Sequence, residues 1–533
     1  MRPFQPDGIF RPIAKGRGLR RTAVRGAGVS VAGQAASFVL QIGSVAVLSR
    51  LLTPADFGIV TMVTTFGLLF RSFGLNGFTE LILQWEELTG SLASNIFWIN
   101  LSIGTILTLV FAGLGPLLAR FFHSPAVTPV TAGLSLMIVF SSMGWIHLAL
   151  LQRAMHFRTA SVINLVAFIS YVIVAVGLAM ADWHYWALVW AMVTQSLVTT
   201  AGAWLACRWL PGRPGRVSGT GPGLKFAMNV YLHFAFSYLT RNADNLLVGW
   251  RFGAGALGFY KKAYDLFVLP QSQLLAPLSA VVVATLSRVN SDRERFQRYF
   301  LRAISVLALV GMGLGADFAL VGKDLIRFLL GPGWEEAGRI FSLFGPGIGV
   351  MLLYSTHGWV HLSIGRPERW FRWGLLEFVC TVCLFLLGLR WGPSGIALAW
   401  TISYFILMFP GFWYAGKPIG LGIGPVFGAI WKFFAASALA GGVTALIVGE
   451  TPHFATAFGA SGAFVRMVFV SLVFFALYLV GVILLHNGLQ PIHETLGLIR
   501  DLLPEKIVTR MSSATLGEAN VLSVPARSGE ERL

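Results

Sequence analysis

Arg241 and Asp244 lie three residues apart inside a long apolar run of this sequence. A charge within a membrane helix costs about 2.5–3.5 kcal/mol on insertion scales, so it faces a protein interior or a wet cavity. At i and i+3 of one helix the two side chains share a face and offset each other's desolvation. Two readings stay open: an ion pair that locks helices together, or a polar lining for a transport path. Arg71 raises the same choice, between pairing with Glu80 and lining a cavity. Glu377 stands alone among apolar neighbours, which suits a proton or cation site, or a protonated hydrogen-bonder. Lys261 and Lys262 open an apolar run and either snorkel to headgroups or serve the path. Asn76 and Asn245, with Asn164, Asn229, Gln34 and Gln41, are suited to sugar hydroxyls or to bonds between helices. Asp317 lies nearer a helix end and reads as structural.

Other chemical signals fall away on inspection. Gly411 to Lys417 fits the start of a phosphate-binding loop, but Pro418 follows where Ser or Thr is required. Cys380 and Cys383 lie within an apolar run with no second pair, which argues against zinc or redox work. His357 and His361 share a helix face, yet the glutamate of a zinc protease is missing between them. No metal, cofactor or catalytic constellation is expected.

The elements that must position these residues follow from composition. Of 533 residues, 56% are hydrophobic and 12% charged, against about 25% charged in globular domains. The apolar residues come in blocks long enough to cross a ~30 Å hydrocarbon core. The chain reads as an all-α polytopic membrane protein of about fourteen transmembrane helices. Its net charge of +17 has no separate basic domain behind it, so nucleic acid is not expected as a partner. The basic residues instead gather in a tail over 1–26 and in alternate connections, such as Arg208, Arg213, Arg216 and Lys225, or Arg288, Arg293, Arg295 and Arg298. Both termini then face the cytoplasm. Arg251, Lys261 and Lys262 break this bias on the opposite side. After the last span, an amphipathic stretch around residues 493–503 predicts a surface-lying helix, followed by a disordered polar tail.

An internal repeat organises the spans. Arg50-Leu-Leu-Thr-Pro-Ala-Asp-Phe-Gly58 aligns with Trp250-Arg-Phe-Gly-Ala-Gly-Ala-Leu-Gly258. Ala119 to Pro125 aligns with Ile326 to Pro332, and Trp186 to Trp190 echoes Ile396 to Trp400. Each pair is separated by roughly 200–210 residues and by six spans, so the halves have like orientation. Two like-oriented six-helix bundles are then expected, over 27–207 and 225–415, around a central cavity. A cytoplasmic linker at 208–224 joins them, two further helices occupy 416–486, and a cytoplasmic tail fills 487–533. Spans seven and eight are placed at 225–249 and 263–286, with a Gly-rich turn (Gly253, Gly255, Gly258) between.

Asn242-x-Asp244 to Gly249, Gly253, Leu257 to Tyr260, Ala263-Tyr264 and Leu269-Pro270 together resemble the signature of bacterial Wzx-type polysaccharide flippases. These belong to the polysaccharide transporter family, within the multidrug/oligosaccharidyl-lipid/polysaccharide exporter superfamily. Arg50 to Gly58, Leu151 to Arg158 and Leu330-Gly-Pro-Gly-Trp334 extend the likeness, most similar to the colanic-acid-exporter-like branch. The resemblance implies a fourteen-helix inner-membrane protein that flips undecaprenyl-diphosphate-linked oligosaccharide, an exopolysaccharide or O-antigen precursor, without ATP hydrolysis or covalent chemistry. Membrane lipids, a polysaccharide polymerase and chain-length machinery are the implied partners. Arg71 departs from the family pattern, where an acidic residue is frequent, and Lys262 stands where arginine is common. A diphosphate calls for a cationic cavity, so Arg71, Arg241 and Lys262 are the expected contacts, with Asp244, Glu377, Asn76 and Asn245 as further cavity candidates. Two alternatives are a small-molecule or multidrug exporter of the same superfamily and a membrane glycan ligase or polymerase. The connections are short for the catalytic loop that the latter needs.

Overall fold

The computed structural model describes residues 3–4, 8–10, 38–73, 77–85, 87–215, 220–449 and 459–502. Most of the basic tail, Gln34, Asn76 and the polar tail beyond 502 lie outside the described residues. Apart from two isolated bridges near the N-terminus, the regular structure among the described residues is helical. Nine helical stretches there are long and apolar enough to cross a membrane. Leu109, Leu205, Leu446 and Leu472 point outward and are largely exposed, the inverse of a water-soluble surface and the arrangement that lipid favours.

Helix α1 (Phe38–Leu51) turns through Leu52 and Thr53 into α2 (Pro54–Phe73). Asp56 Oδ2 accepts from the Thr53 amide (2.9 Å) and hydroxyl (2.6 Å), and the Asp56 amide donates to Thr53 Oγ1 (3.3 Å). This reciprocal cap, with Pro54 in the first turn, fixes where α2 begins. Then follow α3 (Thr79–Gln84), α4 (Gly90–Gly113), α5 (Gly115–Phe121), α6 (Val127–Arg153), α7 (Phe157–Met180) and α8 (Tyr185–Cys207). The later series runs α9 (Thr220–Arg241), α10 (Ala243–Pro270), α11 (Ala276–Arg288), α12 (Arg293–Leu330), α13 (Glu335–Ser355), α14 (His357–Ser363), α15 (Pro367–Gly388) and α16 (Gly392–Gly416). Neighbour relations recur between the series. Helix α6 packs between α4 and α8 while α7 lies on α8; likewise α13 packs between α12 and α16 while α15 lies on α16.

Helices α17 (Ile423–Gly449) and α18 (Gly459–His486) pack on each other and on α12. An Arg466–Asp324 ion pair and a Ser471 hydroxyl donated to Asp317 (3.1 Å) join α18 to α12. Helix α19 (Gln490–Leu502) is the expected amphipathic element, and Glu494 pairs with Arg302 of α12 (3.4 Å).

The structure corrects the expected boundaries around span seven. The helix ends at Arg241, and the run from 243 to 270 is helical except at Gly253, whose φ of 79° turns the chain back. The break falls at Asn242, where side chains compete with the backbone: Asn242 Nδ2 donates to Tyr238 O (2.8 Å), and Asn245 Nδ2 to Asn242 Oδ1 (3.1 Å). Gly255 and Gly258 are therefore helical residues and not turn residues.

Helices α2 and α10 meet in a reciprocal contact between the repeat-related segments. A Cβ at Gly58 would stand 1.8 Å from Ala254 O, and one at Gly258 would stand 1.8 Å from Pro54 O. Pro54 and Ala254 are themselves repeat partners, so each glycine receives the first turn of the other's helix. The turn from α12 to α13 grips the same end: Trp334 Nε1 donates to Ser49 O (2.8 Å), Ser49 Oγ to Leu330 O (3.2 Å) and an Arg50 Nη to Phe328 O (2.9 Å). Phe57 packs edge-on to Trp334 (5.6 Å) on one side and carries Lys262 Nζ 3.9 Å above its ring on the other. One apolar core runs across this seam, whereas Phe78, Leu92, Phe97 and Ile146 form a second core at the far ends of α4 and α6.

Gly258→Val puts side-chain carbon where backbone oxygen now stands, so the seam will fail to close. With Cys207, Cys380 and Cys383 replaced by serine, Ser49→Cys, now 3% exposed, should react with a hydrophilic maleimide in the Gly258→Val background and stay protected with glycine. Gly255→Val, which meets open space, is the control and should leave Ser49→Cys protected. Equal protection in all three backgrounds would contradict the contact.

Candidate functional site

Arg241 and Asp244 fall on opposite sides of the break at Asn242, and the expected pairing of the two on one helix face does not form. Asp244 is fully buried. Its Oδ2 accepts from Tyr260 Oη (2.8 Å) and Trp400 Nε1 (2.9 Å), and its Oδ1 accepts from the Asn245 amide (2.8 Å). A buried carboxylate requires donors of this kind, and bonds to an ionised acceptor are the strong ones. Here they tie the two arms of α10 to each other and to α16. Tyr264 and Tyr404 close the cage, with Trp400 stacked on Tyr404 (5.5 Å) and Tyr260 on Tyr264 (6.1 Å).

Arg241 is exposed at the end of α9, within electrostatic range of Glu377, Tyr264 and Tyr404. Glu377 is half-buried on α15 and is not the isolated carboxylate that its apolar neighbours in sequence suggest. Tyr354 of α13 lies within electrostatic range of it, and the Tyr354 hydroxyl accepts Trp373 Nε1 (2.7 Å). The structure thus gathers Arg241, Asp244, Asn245 and Glu377 into one polar, aromatic region of the later helices. Lys262 belongs to the α2–α10 seam, over Phe57, while Lys261 pairs with Asp265.

Arg71 lies elsewhere. From the last turn of α2 its guanidinium carbon sits 5.7 Å from the Trp145 ring centroid. Both line a cavity of about 120 Å³ whose described walls come from α2, α6, α7 and α8, with Asn164, Gln195 and Thr199 among them. No residue of the later helices is among those walls, so Arg71 and Arg241 do not share this cavity. Asn164 was a general polar candidate; Gln195 and Trp145 were missed. A signal for them existed in Gln195, Ser196, Thr199 and Thr200, which fall on one face of an apolar helix. Tyr260, Tyr354, Trp400 and Tyr404 were missed too, since aromatic residues in membrane helices read as packing.

His357 and His361 are buried on α14 against Tyr354, Trp373 and Tyr414. Gly411 to Gly416 are the last residues of helix α16 and Lys417 opens a 3-10 turn, so the run presents no loop to a phosphate.

Tyr260→Phe and Trp400→Phe each remove one donor from the Asp244 carboxylate, which should cost about 1.5–3 kcal/mol apiece. Because both donors reach the same oxygen, the double variant should depart from the sum of the single losses. Unfolding of the purified protein in detergent measures this; unchanged stability in both single variants would contradict the cage.

The family model described as polysaccharide biosynthesis protein matches residues 47–339. The chain is 22% identical over 410 residues to the lipopolysaccharide biosynthesis protein WzxC of Escherichia coli (strain K12), covering 74% of this chain and 82% of that protein. It is 23% identical over 381 residues to the succinoglycan biosynthesis transport protein ExoT of Rhizobium meliloti (strain 1021), covering 71% and 77%. The structure of lipid II flippase MurJ in an inward closed conformation matches with a TM-score of 0.68 over 84% of this chain and 98% of its own, at 15% identity, a likeness of fold. The family match takes in the α2–α10 seam and, of the cage, Asp244, Tyr260 and Tyr264, and it spans more than half of the chain, which therefore belongs to the polysaccharide biosynthesis protein family.

Proposed function

We propose that this protein flips an undecaprenyl-diphosphate-linked oligosaccharide, an exopolysaccharide or O-antigen precursor, across the bacterial inner membrane by alternating access. The observation that carries the reading is the reciprocal seam at Gly58 and Gly258, in a chain whose relatives include a succinoglycan biosynthesis transport protein. Two repeated halves that touch through two glycines can rock about that contact, and a path between them opens at one face or the other. In this reading the chain has fourteen spans, six in each bundle over 27–207 and 225–415, and two more within 416–486. Both termini are cytoplasmic, as the distribution of arginine and lysine suggests. The sealed end is then periplasmic.

Arg241 and Lys262 are the groups proposed to meet the diphosphate, Arg241 from the interior and Lys262 when the seam parts. Asn245 is suited to sugar hydroxyls. Asp244 and Glu377 counterbalance Arg241 and hold the aromatic cage in register. The greasy polyprenyl tail stays in lipid. Moving anionic charge outward is favoured by the membrane potential by about 2.3 kcal/mol per elementary charge per 100 mV, so no ATP site is required. Partners in polymerisation and chain-length control would receive the flipped unit on the periplasmic side.

Spheroplasts prepared from a strain lacking the gene should accumulate lipid-linked precursor in the inner leaflet, and Arg241→Ala should reproduce that defect at normal membrane abundance. Normal arrival of precursor in the outer leaflet without the gene would defeat the proposal.

A further inference from the structure

The polar cavity inside the earlier helices is not explained by a path between the halves, because its described walls come from α2, α6, α7 and α8. Its chemistry is one-sided. Arg71 brings a guanidinium, which stays protonated in proteins. No carboxylate is among the described residues that line the cavity. Asn164 of α7 and Gln195 of α8 add amide groups that have no hydrogen-bond partner among the described residues and border the open space. The Thr199 and Thr200 hydroxyls are already engaged, donating to Gln195 O (2.8 Å) and Phe140 O (2.6 Å). The indole N–H of Trp145, beneath the guanidinium, is buried and unpartnered among the described residues. At about 120 Å³ the space is several times what one water needs, roughly 10–15 Å³, yet far too small for a glycan-diphosphate.

We infer that this cavity is a binding site for a small anion, of halide to phosphate size, held by the Arg71 guanidinium and the side-chain amides of Asn164 and Gln195. A cation placed among apolar helices needs a counter-charge or full hydration, and a charge-assisted bond to an anion is the stronger solution. The bound anion joins the end of α2 to α7 and α8. The inference stands independently of the glycan substrate, since it concerns a separate cavity and is read on the purified protein. Free anions and the phosphate of a lipid headgroup share the required chemistry, and the test separates them.

The full-length protein in phospholipid-free maltoside detergent with gluconate as the sole anion is titrated with chloride and with inorganic phosphate, and its unfolding midpoint is followed. The midpoint should rise and saturate with at least one of them; Arg71→Gln should abolish the rise, Arg71→Lys should retain part of it, and Gln195→Leu should move half-saturation up by about tenfold. A rise seen only in phosphatidylglycerol nanodiscs, absent in phosphatidylcholine and lost in Arg71→Gln, would assign the same site to a headgroup. Identical midpoints in every anion and both lipids, or an Arg71→Gln protein that responds as the parent does, would leave water as the occupant and overturn the inference. If Arg71→Gln fails to fold, the Gln195→Leu titration decides, and an unshifted curve counts against the site.

Discussion

The fold is built around one place where two helices touch through backbone. At Gly58 and Gly258 no side chain separates α2 from α10, and a single added carbon on either would stand 1.8 Å from a carbonyl oxygen. Such an approach is available only to glycine, and it is useful only if both helices start where they do. The Thr53–Asp56 cap sets the start of α2, and the positive φ of Gly253 sets the start of the second arm of α10. The repeat thus supplies two versions of one solution, a polar cap in the first copy and a glycine turn in the second. Around the contact, Arg50, Ser49 and Trp334 spend side-chain hydrogen bonds on carbonyl groups at helix ends, where backbone acceptors are otherwise unsatisfied.

The seam explains the placement of the interior charges. Because Gly253 folds α10 back on itself, Tyr260 of the second arm reaches Asp244 of the first, and Trp400 arrives from α16. The carboxylate is therefore a fastener for a hairpin and a third helix. Its donors are aromatic, which lets one side chain fill apolar volume and satisfy a buried acceptor together. Arg241, freed from that duty by the break at Asn242, is turned toward Glu377 and the tyrosines. The charges of the earlier helices follow a different plan, with Arg71 set over Trp145 in a pocket of amides and hydroxyls.

Much of this was legible in the sequence. Apolar blocks of membrane length and the words around Arg50 and Gly258 pointed to helices and family. The intramembrane charges marked the polar interior, because their cost in lipid leaves few other places for them. What escaped was set by three-dimensional contact. Glycines at 253, 255 and 258 read as a turn, although only Gly253 has the dihedral of one; Gly258 is glycine because Pro54 lies against it. Arg241 and Asp244 read as a pair because the count assumed one continuous helix through Asn242. Trp400 was visible as a repeat word, but nothing in a linear chain says that its indole N–H will find a carboxylate 156 residues away. Arg71 is a half-buried cation at the end of α2, and its neighbours on α6, α7 and α8 became apparent only once those helices were packed.

The central claim is that the α2–α10 contact opens and closes as the halves exchange access. The direct measurement is the distance distribution between spin labels at Ala55 and Gly255, by double electron–electron resonance in nanodiscs, with and without lipid-linked oligosaccharide. The account predicts a short distance for the closed seam, and a second, longer population whose share changes on adding substrate. One short distance, unmoved by substrate and by membrane potential in proteoliposomes, would mean that the contact is a permanent weld and that the halves do not rock about it.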